Sequence, residues 1–220
     1  MPKAGPPRGC WWVPPRNTGY APRPKSVYNP AILRSAEPIG HWADPLHKES
    51  NGFMTKATGR YKEVLQGLKD WGAKMVVYVP DRWIAPLCLA AEADPDLISV
   101  NACREEEGVA ICVGALATGT KAVMVLQNAG FLSSGTGINF ARMYQVPLLF
   151  VISYRGNTEE TLHYHVHKGA ATEPVLKGFG IGYRIPDAGR GLADQVADAG
   201  RFAEASSHPF ALLLKREHLA

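Results

Sequence analysis

MVVYV, residues 75–79, is an unbroken apolar run rich in β-branched residues and closed by Pro80 and Asp81. A run without polar alternation reads as a strand buried on both faces, the kind a parallel sheet needs. Proline lacks the amide donor that would continue it. Upstream, Tyr61, Val64, Leu65, Leu68 and Trp71 recur at helical spacing, and Gly72 stands where a helix C-cap would. Downstream, 84–93 reads as a helix and 97–100 as a second strand leading into Glu105, Glu106 and Glu107. The alternation then continues: strand 122–126, helix 135–144, strand 148–152, helix 173–179, strand 183–185, helix 192–205 and strand 210–214. Six strands alternating with helices predict an α/β domain of three layers, a six-stranded, mostly parallel sheet with helices on both faces. Ligands of such sheets bind beyond the carboxyl ends of the strands. The loops expected there are VPDRW (79–83), NACREEE (101–107), QNAGFLSSGTG (127–137) and SYRGN (153–157).

The first 50 residues differ in kind. They hold ten of the 17 prolines, with Trp11, Trp12, Tyr20, Tyr28 and Trp42 as large apolar anchors. This composition predicts a proline-rich extension or arm over 1–50, outside a domain spanning 51–220. The net charge of +4 is concentrated in residues 1–46, where Lys3, Arg8, Arg16, Arg23, Lys25 and Arg34 face only Glu37 and Asp44. The rest of the chain is neutral overall and carries no basic stripe interleaved with aromatics, so no nucleic-acid partner is expected. No apolar run approaches the length of a membrane span and no hydrophobic signal core opens the chain, which predicts a cytoplasmic protein with no membrane association. Cys10, Cys88, Cys103 and Cys112 have no CxxC spacing and read as reduced and mostly buried.

Several residues invite a chemical reading. Three glutamates opening a helix complement its dipole, worth about 0.3–1 kcal/mol each when exposed. The helix after them is pared down at Gly108, Ala110, Gly114, Ala115 and Ala117, which suits close approach by another element or subunit. Gln127 and Asn128 end the third strand, where amides can orient a carboxylate or a ring; Asn there also caps loops. Arg82 and Arg155 can meet an anion through charge-assisted hydrogen bonds. His163, His165 and His167 would share one face of an extended segment, yet no Cys or carboxylate spacing defines a metal site with them. SSGTG, residues 133–137, is a weak phosphate-cradle signal without a lysine or a fuller glycine pattern.

EEEGVAICVGALATG resembles the helix of the pyrimidine-binding domain of thiamin diphosphate enzymes, in which a glutamate precedes a glycine by nine positions, as Glu105 precedes Gly114. QNAGFLSSG is similar to the QNSGLGN-type loop of phosphonopyruvate and sulfopyruvate decarboxylases. YQVPLLFVISYRGN is similar to their YKIPMLLLISWRG segment, and REEEG is nearest the sulfopyruvate decarboxylase α-subunit pattern. The likeness covers about residues 57–216. It implies a 2-oxo acid decarboxylase of an anionic substrate such as sulfopyruvate or phosphonopyruvate, with thiamin diphosphate and Mg²⁺ as cofactors.

Carried over by position, the resemblance makes Glu105 the catalytic carboxylate that activates the cofactor. A carboxyl at an apolar interface favours its neutral form and can share a proton with the aminopyrimidine ring. Pro80, Asp81, Asn128 and Gly130 become cofactor contacts, while Gln127, Asn128, Arg82 and Arg155 become substrate contacts. His165 becomes a proton donor after decarboxylation, although LHYHVHK departs from the DEPQH-type loop of the relatives. Glu106 and Glu107 match no functional position. The GDG motif and later NN pair that hold the metal and diphosphate in this family are absent from the sequence. The resemblance therefore implies a hetero-oligomer whose separate diphosphate-binding β-subunit supplies the metal and diphosphate ligands. Its rivals are a carboligase subunit with the same cofactor and a non-catalytic binding module with the same fold.

Overall fold

The computed structural model describes residues 59–158 and 160–219. The proline-rich extension expected over 1–50 lies outside them. Helix α1 (Tyr61–Trp71) buries Val64, Gly67, Leu68 and Trp71 along one stripe and stops at Gly72, whose φ of 91° is left-handed. Strand β1 (Met75–Tyr78) follows, then α2 (Ala85–Glu92), the edge strand β2 (Ile98–Asn101) and α3 (Glu105–Ala117). Next come β3 (Ala122–Gln127), α4 (Asn128–Ser133), α5 (Gly135–Met143), β4 (Leu149–Ser153) and α6 (His163–Gly178). Strand β5 (Gly182–Arg184), α7 (Leu192–Ser206), β6 (Phe210–Leu214) and a 3₁₀ turn (Arg216–His218) complete the described chain.

The six strands form one sheet in the order β2-β1-β3-β4-β6-β5, and every neighbouring pair is parallel. Successive strand residues point to opposite faces, so the apolar runs feed two cores. Val76, Tyr78, Val123, Val125, Leu149, Val151, Leu212 and Leu214 pack with α1, α2 and α7. Val77, Met124, Leu126, Phe150, Ile152 and Leu213 pack with α3, α4, α5 and α6. Each fully buried Val, Leu or Ile contributes about 1.5–3 kcal/mol relative to an exposed one. The central strands carry most of that burial.

Two glycines allow α1 and α7 to meet closely. A Cβ on Gly67 would strike the Ala193 carbonyl and Val196, and one on Gly200 would enter the Trp71 indole. From β1 the chain steps outward to β2 and then crosses to β3 on the other side of β1. That reversal opens a crevice beyond the carboxyl ends of β1 and β3.

Three local expectations change. The loop expected over 127–137 contains helix α4, with Ser133 Oγ and Ser134 Oγ donating to the Gly130 carbonyl at 2.9 and 2.7 Å. Helix α6 begins ten residues before the predicted Glu173 start and runs through Pro174. Pro174 and Ala170 are both exposed, so the carbonyl freed by the missing N–H lies toward solvent. Of the three described cysteines, Cys88 and Cys112 are buried but Cys103 is exposed.

Candidate active site

Asp81 organises the crevice. Its Oδ1 accepts the backbone N–H groups of Trp83 (2.7 Å) and Ile84 (3.0 Å), which turns the chain after β1 into α2. Its Oδ2 accepts from Gln127 Nε2 at 2.8 Å, at the end of β3, and from Ser153 Oγ at 2.5 Å, at the end of β4. One carboxylate thus ties together the carboxyl ends of three adjacent strands. Both Asp81 and the Gln127 amide donor, read from sequence as ligand contacts, are engaged with each other. Pro80 and Arg82 are exposed beside them.

Asn128 is fully buried. Its Nδ2 donates to the Arg155 carbonyl at 2.9 Å and to Thr172 Oγ1 at 3.0 Å, joining α4 to the loop after β4 and to α6. Its Oδ1 is sealed from solvent and has no hydrogen-bond partner among the described residues. A buried acceptor left unpaired costs about 1–3 kcal/mol.

Glu105 opens α3 and is half-buried. Its side chain lies across α4: a Cβ added at Gly130 would land on Glu105 Cγ, Cδ and Oε1. Gly108 brings the same helix onto the sheet, since a Cβ there would meet Met124 at 2.6 Å. No described residue gives the Glu105 carboxylate a hydrogen bond or ion pair. Glu107 differs, because its Oε2 accepts from the Cys103 N–H at 3.0 Å, in the turn before the helix. Gly137, in the SSGTG stretch, faces Val109 at 3.2 Å from an added Cβ, so this glycine serves helix packing.

Arg155 is buried and stacks over the Trp83 ring at 4.1 Å. Its guanidinium grips Glu160 with two bonds, Nε to Oε2 at 2.8 Å and Nη2 to Oε1 at 3.2 Å. His165 Nδ1 lies 3.1 Å from the same Oε2. The Arg155 hydrogen bonds hold the Glu160 carboxyl down at about 2. Burial, reinforced by the Arg155 charge, moves His165 below its usual value against the pull of Glu160. His165 is therefore neutral at pH 7, and the expected proton donor rests without the proton it would donate. Arg155, expected to bind the substrate anion, has its charge matched inside the protein.

The other histidines separate from His165 because the segment is helical. His163 and His167, four residues apart, meet edge to face at 5.2 Å on the exposed side, whereas His165 points inward. Among the described residues, no group of three or more His, Cys, Asp or Glu is placed to hold a metal ion. Glu160 escaped the sequence reading because an acidic residue in a loop has no periodicity to mark it. Its usable signal was a glutamate lying five residues from both an arginine and a histidine.

This chain is similar to sulfopyruvate decarboxylase subunit alpha. The Methanococcus maripaludis protein of that name is 28% identical over 162 residues, covering 73% of this chain and 95% of the relative. The one from Methanothermobacter thermautotrophicus is 28% identical over 155 residues, covering 69% and 92%. A Methanosarcina acetivorans protein named sulfopyruvate decarboxylase, without a subunit designation, is 32% identical over 129 residues, but the match spans only 32% of its length. No protein-family model matches the chain.

Among the described residues, no helix is long and apolar enough to cross a membrane.

Proposed function

We propose that this chain is the alpha-type subunit of a thiamin diphosphate-dependent decarboxylase acting on an anionic 2-oxo acid, with sulfopyruvate first and phosphonopyruvate as an alternative. The observation that carries this reading is the Glu105 carboxylate, half-buried, without a partner among the described residues and laid over a glycine that leaves room for it. The similarity to proteins named subunit alpha over nearly their whole length supports both the decarboxylase class and a second subunit.

The residues present fit a bound aminopyrimidine. A carboxyl group can hold a proton toward a ring nitrogen, and the sealed Asn128 Oδ1 is an acceptor in want of a donor. When bound, thiamin diphosphate supplies a carbanion centre and an electron sink for loss of CO₂. Glu105 holds and returns the activating proton at its carboxyl oxygens. Gly130 leaves that carboxyl its place, and the Asp81–Gln127–Ser153 cluster fixes the strand ends beneath the site. Diphosphate and Mg²⁺ ligands are assigned to the partner subunit, because the GDG and NN strings of such sites do not occur in this sequence.

The test is CO₂ release from sulfopyruvate and phosphonopyruvate with added thiamin diphosphate and Mg²⁺. The chain alone should be inactive, and the chain co-purified with a GDG-bearing subunit should turn over. Turnover by the chain alone would overturn the divided site, and an inactive complex would overturn the decarboxylase reading.

A further inference from the structure

The Glu160 side chain, only 3% exposed, is surrounded by donors. Arg155 Nε and His165 Nδ1 meet Oε2 at 2.8 and 3.1 Å, while Arg155 Nη2 and the backbone N–H groups of Thr161 and Leu162 meet Oε1 at 3.2, 3.1 and 3.2 Å. An ionised carboxylate can only accept. The hydrogen in the His165–Glu160 contact must then sit on Nδ1, and a neutral His165 must present Nε2 as a bare lone pair. No described residue hydrogen-bonds to Nε2.

The same carboxylate anchors this arrangement at the crevice. Arg155 stacks on Trp83 after β1, and its carbonyl is held by Asn128 after β3. Close backbone packing fixes the distance between the β4 loop and α6. Gly156, at φ 92°, faces the His165 carbonyl so tightly that an added Cβ would collide with it, and Gly169 faces the Gly156 carbonyl in turn. Glu160 therefore spans two backbone segments that have little freedom to move apart.

We propose that Glu160 is a positioning residue that holds His165 in the Nδ1–H tautomer, so that Nε2 is a proton acceptor at the carboxyl edge of the sheet. Glu160 also cancels the Arg155 charge, which leaves recognition of a substrate anion to other groups. What Nε2 serves rests on the proposed function; the tautomer itself does not. Replacing the carboxylate of a 2-oxo acid by hydrogen releases CO₂ and consumes one proton. Nε2 can take that proton from solvent acid and pass it to the carbon that lost CO₂, returning His165 to neutrality with no net change. The fixed tautomer keeps Nε2 the basic nitrogen that can do so.

The experiment is nitrogen-15 NMR of the full chain labelled at histidine, without substrate or cofactor, at a pH where His165 is neutral. Among the seven histidines, the His165 signals are identified by their loss in His165→Gln. Wild type should show a protonated Nδ1 and a bare Nε2 at His165, with the Nδ1–H form in excess by about tenfold or more, as a hydrogen bond to a charged group sets it. Glu160→Gln offers a competing amide donor, and the excess should fall to near parity or reverse. A wild-type Nε2–H tautomer would overturn the proposal, as would an unchanged excess in a folded Glu160→Gln. Should that variant not fold, Glu160→Asp carries the comparison, because it keeps the charge but shortens the reach. An inactive protein with the Nδ1–H tautomer would sink the decarboxylase reading and leave this one standing.

Discussion

At Gly130 a hydrogen stands where any other residue would drive a methyl group into the Glu105 carboxyl. The obstructed atoms belong to a side chain that can swing, so Gly130→Ala displaces the carboxyl without breaking the backbone. Alanine in a helix is favoured over glycine by about 0.8–1 kcal/mol, which offsets the cost of that displacement. Gly130→Ala should therefore melt within a few degrees of wild type while turnover of the complex falls at least tenfold; unchanged turnover would show that the Glu105 position is not critical. Glu105 and Gly130 were both legible from motif resemblance because each sits in a short stretch with its own spacing. The roles of Asp81, Gln127 and Arg155 were only half legible. Their chemistry shows in the sequence, but their hydrogen-bond partners lie on other strands or in a loop without a pattern.

Among the elements, the strand ends are held by one acceptor pair. Asp81 receives four hydrogen bonds, two from the start of α2 and one each from the ends of β3 and β4. Asparagine keeps one acceptor oxygen and points an NH₂ at two donors, so Asp81→Asn should cost about 1–3 kcal/mol for each pair left unmet. Urea denaturation measures this, and a midpoint equal to wild type would contradict the bracing role. Helix α6 shows why some elements were misread. Pro174 after Glu173 looks like a helix start, and the alternating histidines look extended, yet the segment from His163 is helical. Contacts between segments distant in sequence, Gly156 against Gly169 and Asn128 against Thr172, settle what local propensity left open.

Among the described residues, the buried histidines His165 and His218 add to Glu160 in setting how stability varies with pH. His218 accepts from Lys215 N–H at Nδ1, and burial lowers it below 6.5, as burial lowers His165. A histidine whose folded value lies below its unfolded one gives stability that is complete above about 6.5 and is lost as pH falls below it. Each adds a slope of up to about 1.4 kcal/mol per pH unit. Denaturant unfolding should thus show stability falling between pH 7 and 5, before most carboxylates titrate, with a further loss below 4.5 as Glu160 is protonated toward about 2. A flat profile from pH 7 to 5 would contradict neutral burial of both histidines. At this scale the central strands were readable from buried apolar runs, and the alternation with helices gave the strand number and the mostly parallel direction. Their order was not, because insertion of β6 between β4 and β5 depends on pairing that no single run encodes.

The central claim is that Glu105 is the working carboxylate of a site completed by a second subunit, and Glu105→Gln tests it most directly. Glutamine keeps the size of the side chain and removes the exchangeable proton. In the co-purified complex, with sulfopyruvate, thiamin diphosphate and Mg²⁺, the account predicts that kcat falls by about 10²-fold or more, the scale of a lost general acid–base group, with assembly and melting temperature unchanged. Turnover close to wild type in a correctly assembled Glu105→Gln complex would contradict it.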